Sequence, residues 1–258
     1  MTQTATVNYH VHKPERQAFE LDAGGIVGNL ISPELTPTRV NVLDVRLGER
    51  GEFKGQSVGF TEFPSEVHSF GEDQAWVPTY DTELTRLLTT ELHAKEVIIF
   101  DHTVRIDDPN ADRKPARNVH SDYSQTGAEQ RLIDILGPEK AQEWVAGHYA
   151  FINVWRPVEA TINSAPLGFV APDSVAAADW ITLDLIYPDR LGQIMGLAAN
   201  ADHRWLYMSK MATDEVAFFN IFDNQGQPPV AHSALDMIED PTLNTIRKSI
   251  ESRTLVRY

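Results

Sequence analysis

The chain has 258 residues, no cysteine, and 22 basic against 37 acidic side chains, for a formal charge of −15. The lack of cysteine excludes disulfide scaffolds, thiol nucleophiles, Cys-ligated zinc and iron–sulfur clusters, and the negative charge argues against a nucleic-acid or anionic-membrane partner. With 42% apolar and 23% charged residues, no leader-like start at Met1 to Val7 and no run near the ~20 apolar residues of a membrane span, a soluble, cytoplasmic protein is expected, folded as one domain over residues 1–258.

Runs rich in β-branched and aromatic residues, bounded by Pro, Gly, Asn or Asp, predict strands at Val7–Val11 and Val40–Val45. A helix follows over Thr79–Ala94, where leucines recur at 84, 87, 88 and 92, with Asp81 as a candidate cap. Next come a strand over Val97–Asp101 and a charged, proline-containing loop, Asp107 to Asn118, expected to be mobile and solvated. Ser124 is placed to cap a helix running to Leu136. Gly137 and Pro138 stop that helix and start a short one reaching about Gly147. Strands are then expected at Tyr149–Trp155, Ile181–Ile186, Val216–Phe222 and Ile250–Val256, with a turn of helix in the alanine-rich stretch 174–180. No repeat or domain boundary is visible. Helices in the first half and strands throughout fit a mainly β fold with flanking helices, a jelly roll or cupin-like double-stranded β-helix.

The tripeptide His120-Ser121-Asp122 carries the most chemistry. On a strand, alternation puts His120 and Asp122 on one face, so an imidazole and a carboxylate meet. A second histidine would complete the two-histidine, one-carboxylate triad that leaves half of a metal's coordination sphere open. Of the nine histidines, His10 and His12 read as a solvated pair, His68 and His93 as surface residues, and His102 as a satisfied polar group at a strand end. His148 and His203 fall at strand starts, whereas His232 follows the apolar strand 216–222, and a jelly roll can bring it back to Asp122. Fifteen residues after His232, a strand would put Arg247, Ser249 and Arg253 on one face, where guanidinium and hydroxyl can clamp a carboxylate. Arg156 cannot be buried unpaired, so it needs a carboxylate from the protein or from a ligand, and Arg105 poses the same question. Asn153 and Tyr123 are further candidates for the pocket wall.

These residues resemble the Fe(II)/2-oxoglutarate-dependent oxygenases. The likeness is to the group containing the fungal gibberellin desaturase and the smaller protein of cephamycin 7α-methoxylation. It rests on Val119-His120-Ser121-Asp122, Asn153-Val154-Trp155-Arg156-Pro157, His203-Arg204-Trp205-Leu206-Tyr207 and Arg247-Lys248-Ser249-Ile250-Glu251-Ser252-Arg253, in order from about residue 40 to the end. Two departures are Ala231-His232-Ser233-Ala234-Leu235, where the family commonly has Pro-His-Thr-Ala-Phe, and Lys248, where it has Glu.

The resemblance implies that His120, Asp122 and His232 hold Fe(II), and that Arg247 and Ser249, with Arg253 as a second candidate, bind 2-oxoglutarate. It implies an O2-dependent oxidoreductase that hydroxylates or desaturates an unactivated C–H bond of a small specialised metabolite, releasing succinate and CO2. Arg156, Asn153, Tyr123 and Arg105 are the candidate substrate contacts. A homo-oligomer or a biosynthetic partner enzyme is compatible with this reading. A zinc hydrolase on the same ligands and a non-catalytic accessory subunit are the alternatives.

Overall fold

The computed structural model describes residues 2–21, 32–48, 53–243 and 245–258. Along the chain run β1 (Thr2–His10), β2 (Gln17–Glu20), β3 (Leu35–Asp44), α1 (Phe53–Gln56), β4 (Val58–Glu62), α2 (Val77–Leu92), β5 (Glu96–Ile106) and β6 (His120–Ser121). There follow α3 (Gln125–Leu136), α4 (Pro138–Val145), β7 (Tyr149–Pro157), β8 (Leu167–Val170), β9 (Trp180–Ile186) and β10 (Leu191–Leu197). The chain ends with β11 (Trp205–Tyr207), β12 (Glu215–Asp223), β13 (His232–Ala234) and β14 (Lys248–Arg257).

The strands build two sheets, one of nine strands in the order β1-β3-β11-β8-β13-β6-β10-β9-β2 and one of five in the order β4-β12-β7-β14-β5. The sheets face each other across a core that includes Phe151, Trp155, Phe169, Leu206 and Phe219. Phe169 of the large sheet meets Phe219 of the small one at 5.0 Å between ring centroids. This is the jelly roll expected from the sequence.

Alternation along β7 shows how the small sheet is buried on both sides. Phe151 and Trp155 point into the space between the sheets, while Ala150, Ile152 and Val154 pack on Tyr80, Leu84, Leu87 and Leu88 of α2. Every residue of β7 is therefore buried, as expected for a strand covered on two faces.

The seven predicted strands all exist, most of them longer than expected. Val11 lies outside β1, and Val45 belongs to a 3-10 turn, Val45–Leu47, started by Asp44, whose side chain accepts from the Arg46 amide. The helix predicted from Thr79 begins two residues earlier, with Pro78 in its first turn and no side-chain cap. Asp81 is thus inside α2 and bonds His102 instead. Ser124 does cap α3, its Oγ accepting from the Gly127 amide. The stretch 174–180 holds part of two 3-10 turns, Pro172–Ser174 and Ala177–Asp179. The loop 107–118 has no regular structure but is not wholly solvated: Arg117 pairs with Asp107 at 3.0 Å and Pro115 is buried.

Candidate metal centre and cosubstrate pocket

Strand pairing brings the distant histidines together. β6 lies between β13 and β10, and its His120 is paired directly with His232 of β13 in antiparallel register. Directly opposed residues share a face with their Cβ atoms ~5 Å apart, and the two imidazole centroids are 4.5 Å apart. Asp122 lies two residues beyond His120, and its Oδ1 is 3.4 Å from His120 Nε2 and 3.8 Å from His232 Nε2. The three ligand atoms lie within 4.8 Å of one another. Among the described residues this is the one such cluster of three histidine or acidic groups.

The donor set suits a divalent metal. His120 Nδ1 is 2.8 Å from the Asn118 carbonyl, which makes that nitrogen the donor and leaves the Nε2 lone pair for an ion. His232 Nδ1 faces the Val230 carbonyl at 3.4 Å, an arrangement of the same kind. Burial, reinforced by the neighbouring His120, lowers the His232 pKa to about 4, so the ring is a neutral ligand at pH 7. Burial alone would raise the Asp122 pKa, but Arg253 and the two histidines outweigh it and hold the carboxyl well below its usual range. Its outer oxygen, Oδ2, accepts from Asn153 Nδ2 and from Arg253 Nε, each at 2.9 Å, leaving Oδ1 to face the histidines. Two imidazoles and one such carboxylate form the facial triad of non-haem iron oxygenases.

A pocket with about 290 Å³ of empty volume, including the part open to solvent, adjoins the triad, with His120, His232, Arg105, Trp155, Arg247 and Glu251 in its wall. The facing small sheet supplies the basic side. Ser249 of β14 lies opposite Arg105 of β5, Glu251 opposite Trp155 of β7, and Arg253 between Asp101 and Asn153. Arg247, just before β14, is buried over the Trp155 ring at 5.2 Å from its centroid. It donates to the Ala165 carbonyl and, at 3.3 Å, to Ser249 Oγ. Its Nε has no partner, and among the described residues no carboxylate lies within ion-pair distance. Burial, then the charge of Arg105, lowers its pKa to about 9, which still leaves it cationic at pH 7. A buried guanidinium without a counter-ion is costly, and a small carboxylate ligand would complete it. The pocket chemistry therefore fits an anionic cosubstrate beside the metal.

Four of the sequence candidates have other partners. Arg253 is engaged by Asp122, by Asp101 at 2.6 Å and by Glu251, so its guanidinium is not free for 2-oxoglutarate. Arg156 points away from the triad, donates to the Phe63 carbonyl and lies 5.9 Å from the centroid of the Tyr80 ring on the α2 side. The amide of Asn153 is committed to Asp122, and Tyr123 packs on Phe151 at 5.0 Å. Arg105 stays in the pocket, bonded through Nη1 to the Lys114 carbonyl.

The other histidines divide. His102 is satisfied inside β5 by Ser252 Oγ and Asp81, and His148 by Asp223. His203 joins Asp179 and Tyr9 in a buried chain. His10, expected in solvent, is buried beside Asn118, because β1 runs past the end of β10. Glu251 was missed as a pocket residue, although the alternation that joins 247, 249 and 253 places it on the same face.

Comparison with known proteins agrees with this geometry. The profile of the family described as oxidoreductase/YMDC permease-like domain matches residues 7–257. The chain is 29% identical to the hydroxylase/desaturase efuI of Hormonema carpetanum, over 99% of this chain and 95% of that one. It is also 29% identical to the alpha-ketoglutarate-dependent dioxygenase phiK of a fungal species, over 80% of each chain. The solved structure of the iron and alpha-ketoglutarate-dependent endoperoxidase NvfI superposes with a TM-score of 0.85 over 99% of this chain and 98% of that one, at 21% identity, a likeness of fold. Fold and triad define a non-haem iron oxygenase. The chain belongs to the oxidoreductase/YMDC permease-like family, and its relatives and triad make it an Fe(II)/2-oxoglutarate-dependent oxygenase. Among the described residues no helix is long and apolar enough to cross a membrane.

Proposed function

We propose that this enzyme oxidises an unactivated C–H bond of a small specialised metabolite, by hydroxylation or desaturation, with release of succinate and CO2. One observation supports the reading above the others: an open triad of two imidazoles and a carboxylate shares its pocket with a buried arginine that has no counter-ion among the described residues. A metal hydrolase has no use for the second element.

His120 and His232 through Nε2, and Asp122 through Oδ1, would hold Fe(II). Arg247 and Ser249 would hold the far carboxylate of 2-oxoglutarate. When bound, the metal and cosubstrate supply the O2-dependent oxidation of C–H bonds. The chain contributes orientation and exclusion of water. The carbonyls of Asn118 and Val230 fix the imidazole tautomers. The positive charges of Arg105 and Arg247 draw an anion into a protein of overall charge −15. Trp155 and Leu167 give the pocket an apolar wall. Hydroxylases and desaturases among the relatives support both outcomes. A chain without cysteine, carrying the composition described above, suits the cytoplasm.

The test is an anaerobic titration of metal-free protein with Fe(II) and 2-oxoglutarate, watched for a visible metal-to-ligand charge-transfer band. The band is expected to saturate in the native protein and to vanish in His232→Ala. Iron binding without any band in the native protein refutes the proposal. A positive result justifies a metabolite screen read by succinate release.

A further inference from the structure

Glu251 occupies an unusual place. It is a buried carboxylate in the wall of the same pocket as His120 and His232, yet its oxygens are not among the clustered ligand atoms. A hard divalent cation takes carboxylate oxygens readily. A fourth protein ligand would leave only two coordination positions, too few for a bidentate cosubstrate and O2 together.

Arg253 stands between the two carboxylates. Its Nη2 donates to Glu251 Oε1, its Nε to Asp122 Oδ2 at 2.9 Å, and its Nη1 to Asp101 Oδ2 at 2.6 Å. The register fixes this arrangement. Arg253 is directly opposite Asp101 on one neighbouring strand and Asn153 on the other, and Glu251 is two residues away on the same face. The planar fork of an arginine can bond separate carboxylates through separate nitrogens, which a single ammonium cannot do.

We propose that Arg253 is a positioning residue that keeps the metal's coordination sphere open by holding Glu251 away from the ion while presenting Asp122 through one oxygen. This inference rests on the iron and 2-oxoglutarate reading above. It gives Arg253 a task at the carboxylates of Asp122 and Glu251 instead of at the cosubstrate, and it makes Glu251 a latent ligand.

The test compares native protein, Arg253→Gln, Glu251→Gln and the double variant Arg253→Gln/Glu251→Gln. Each is loaded with Co(II) or anaerobic Fe(II), and near-UV circular dichroism reports folding. In Arg253→Gln, Co(II) is expected to bind no more weakly than in the native protein, while 2-oxoglutarate, followed by the charge-transfer band, binds at least ~10-fold more weakly. Removing Glu251 as well is expected to return the cosubstrate affinity to within ~3-fold of native. Glu251→Gln alone, which removes a negative charge from the pocket wall, is the reference against which the double variant is read. Should Arg253→Gln not fold, Arg253→Lys carries the same comparison with a smaller loss, again reversed by Glu251→Gln. Native cosubstrate affinity in the Arg253 variant overturns the proposal. So does a double variant as weak as the single one, or loss of Co(II) binding in the single one, which would leave Asp122 as the only group Arg253 controls. Absence of a band in the native protein is a different outcome: it removes the oxygenase reading and this inference with it.

Discussion

Replacing Arg247 by Met separates the demands of folding from those of binding. In the ligand-free protein the guanidinium is buried, uses two of its five N–H donors, on Ala165 and Ser249, and has no counter-ion among the described residues. Methionine has a similar length and removes the buried charge. It leaves the Ala165 carbonyl unpartnered, a loss of about 1–3 kcal/mol, offset by relief from the desolvation of the charge. The net effect on stability should be within about 2 kcal/mol, a melting shift of at most several degrees for a chain of this size. Binding behaves differently. Truncating one side of a buried, hydrogen-bonded charge pair costs about 2–5 kcal/mol. Arg105 remains in the pocket wall, so the lower half of that range applies, and about 3 kcal/mol corresponds to a ~100-fold loss of 2-oxoglutarate affinity. The assay is the anaerobic charge-transfer titration at fixed Fe(II), paired with thermal melts of the metal-free protein. A 2-oxoglutarate affinity within threefold of native would refute the reasoning, as would a variant that binds less only because it unfolds.

Asp122→Asn removes the charged ligand and should abolish Fe(II) binding by calorimetry at micromolar metal; retained native affinity would remove Asp122 from the centre. His10 gives a pH test for the metal-free protein. Burial, then the nearby His120, lowers its pKa from 6.5 to about 4, so the folded state binds fewer protons than the unfolded one. Its neutral-form stability is complete above about pH 6.5 and is lost as pH falls toward 4, up to about 3 kcal/mol. The acid limb of a melting-temperature profile should flatten in His10→Gln, and an unchanged limb would contradict the assignment. At Gly196, opposite His120 in the sheet, a Cβ would fall 2.7 Å from His10 Cδ2 and 2.8 Å from Leu183 Cδ1. Gly196→Ala should destabilise by about 1–3 kcal/mol, measured by urea unfolding, and a neutral effect would mean that His10 can move aside.

The long strands were legible because β-branched and aromatic runs of seven or more residues, as in β7 and β12, leave few other structures open to them. The ligand strands were not. β6 and β13 span two and three residues, too short to show any period, and they exist because their neighbours provide partners. The triad was found through residue types and family likeness, and geometry then explained it. Faces were harder still. Arg156 sits one residue from the pocket-facing Trp155, and only its register decides that it belongs to α2. His10 looked solvated because nothing local reveals that β1 crosses the end of β10. Asp81 reads as a cap because the helix start at Val77, capped by Trp76, lacks the usual polar signal.

The two-residue strand β6 also has a mechanical consequence. In the nine-stranded sheet it is the seam between the group β1-β3-β11-β8-β13 and the group β10-β9-β2, supplemented at its end by isolated bridges from β1, Asn8 to Asn118 and His10 to Ala198. A cation shared by His120, Asp122 and His232 would act there as a rivet, joining β6 and its flank to β13 across the weakest line of the sheet. Loading the centre and closing the sheet become one event, so backbone amides near Phe169 and Gly196, on either side of the seam, should exchange with solvent more slowly once metal is bound.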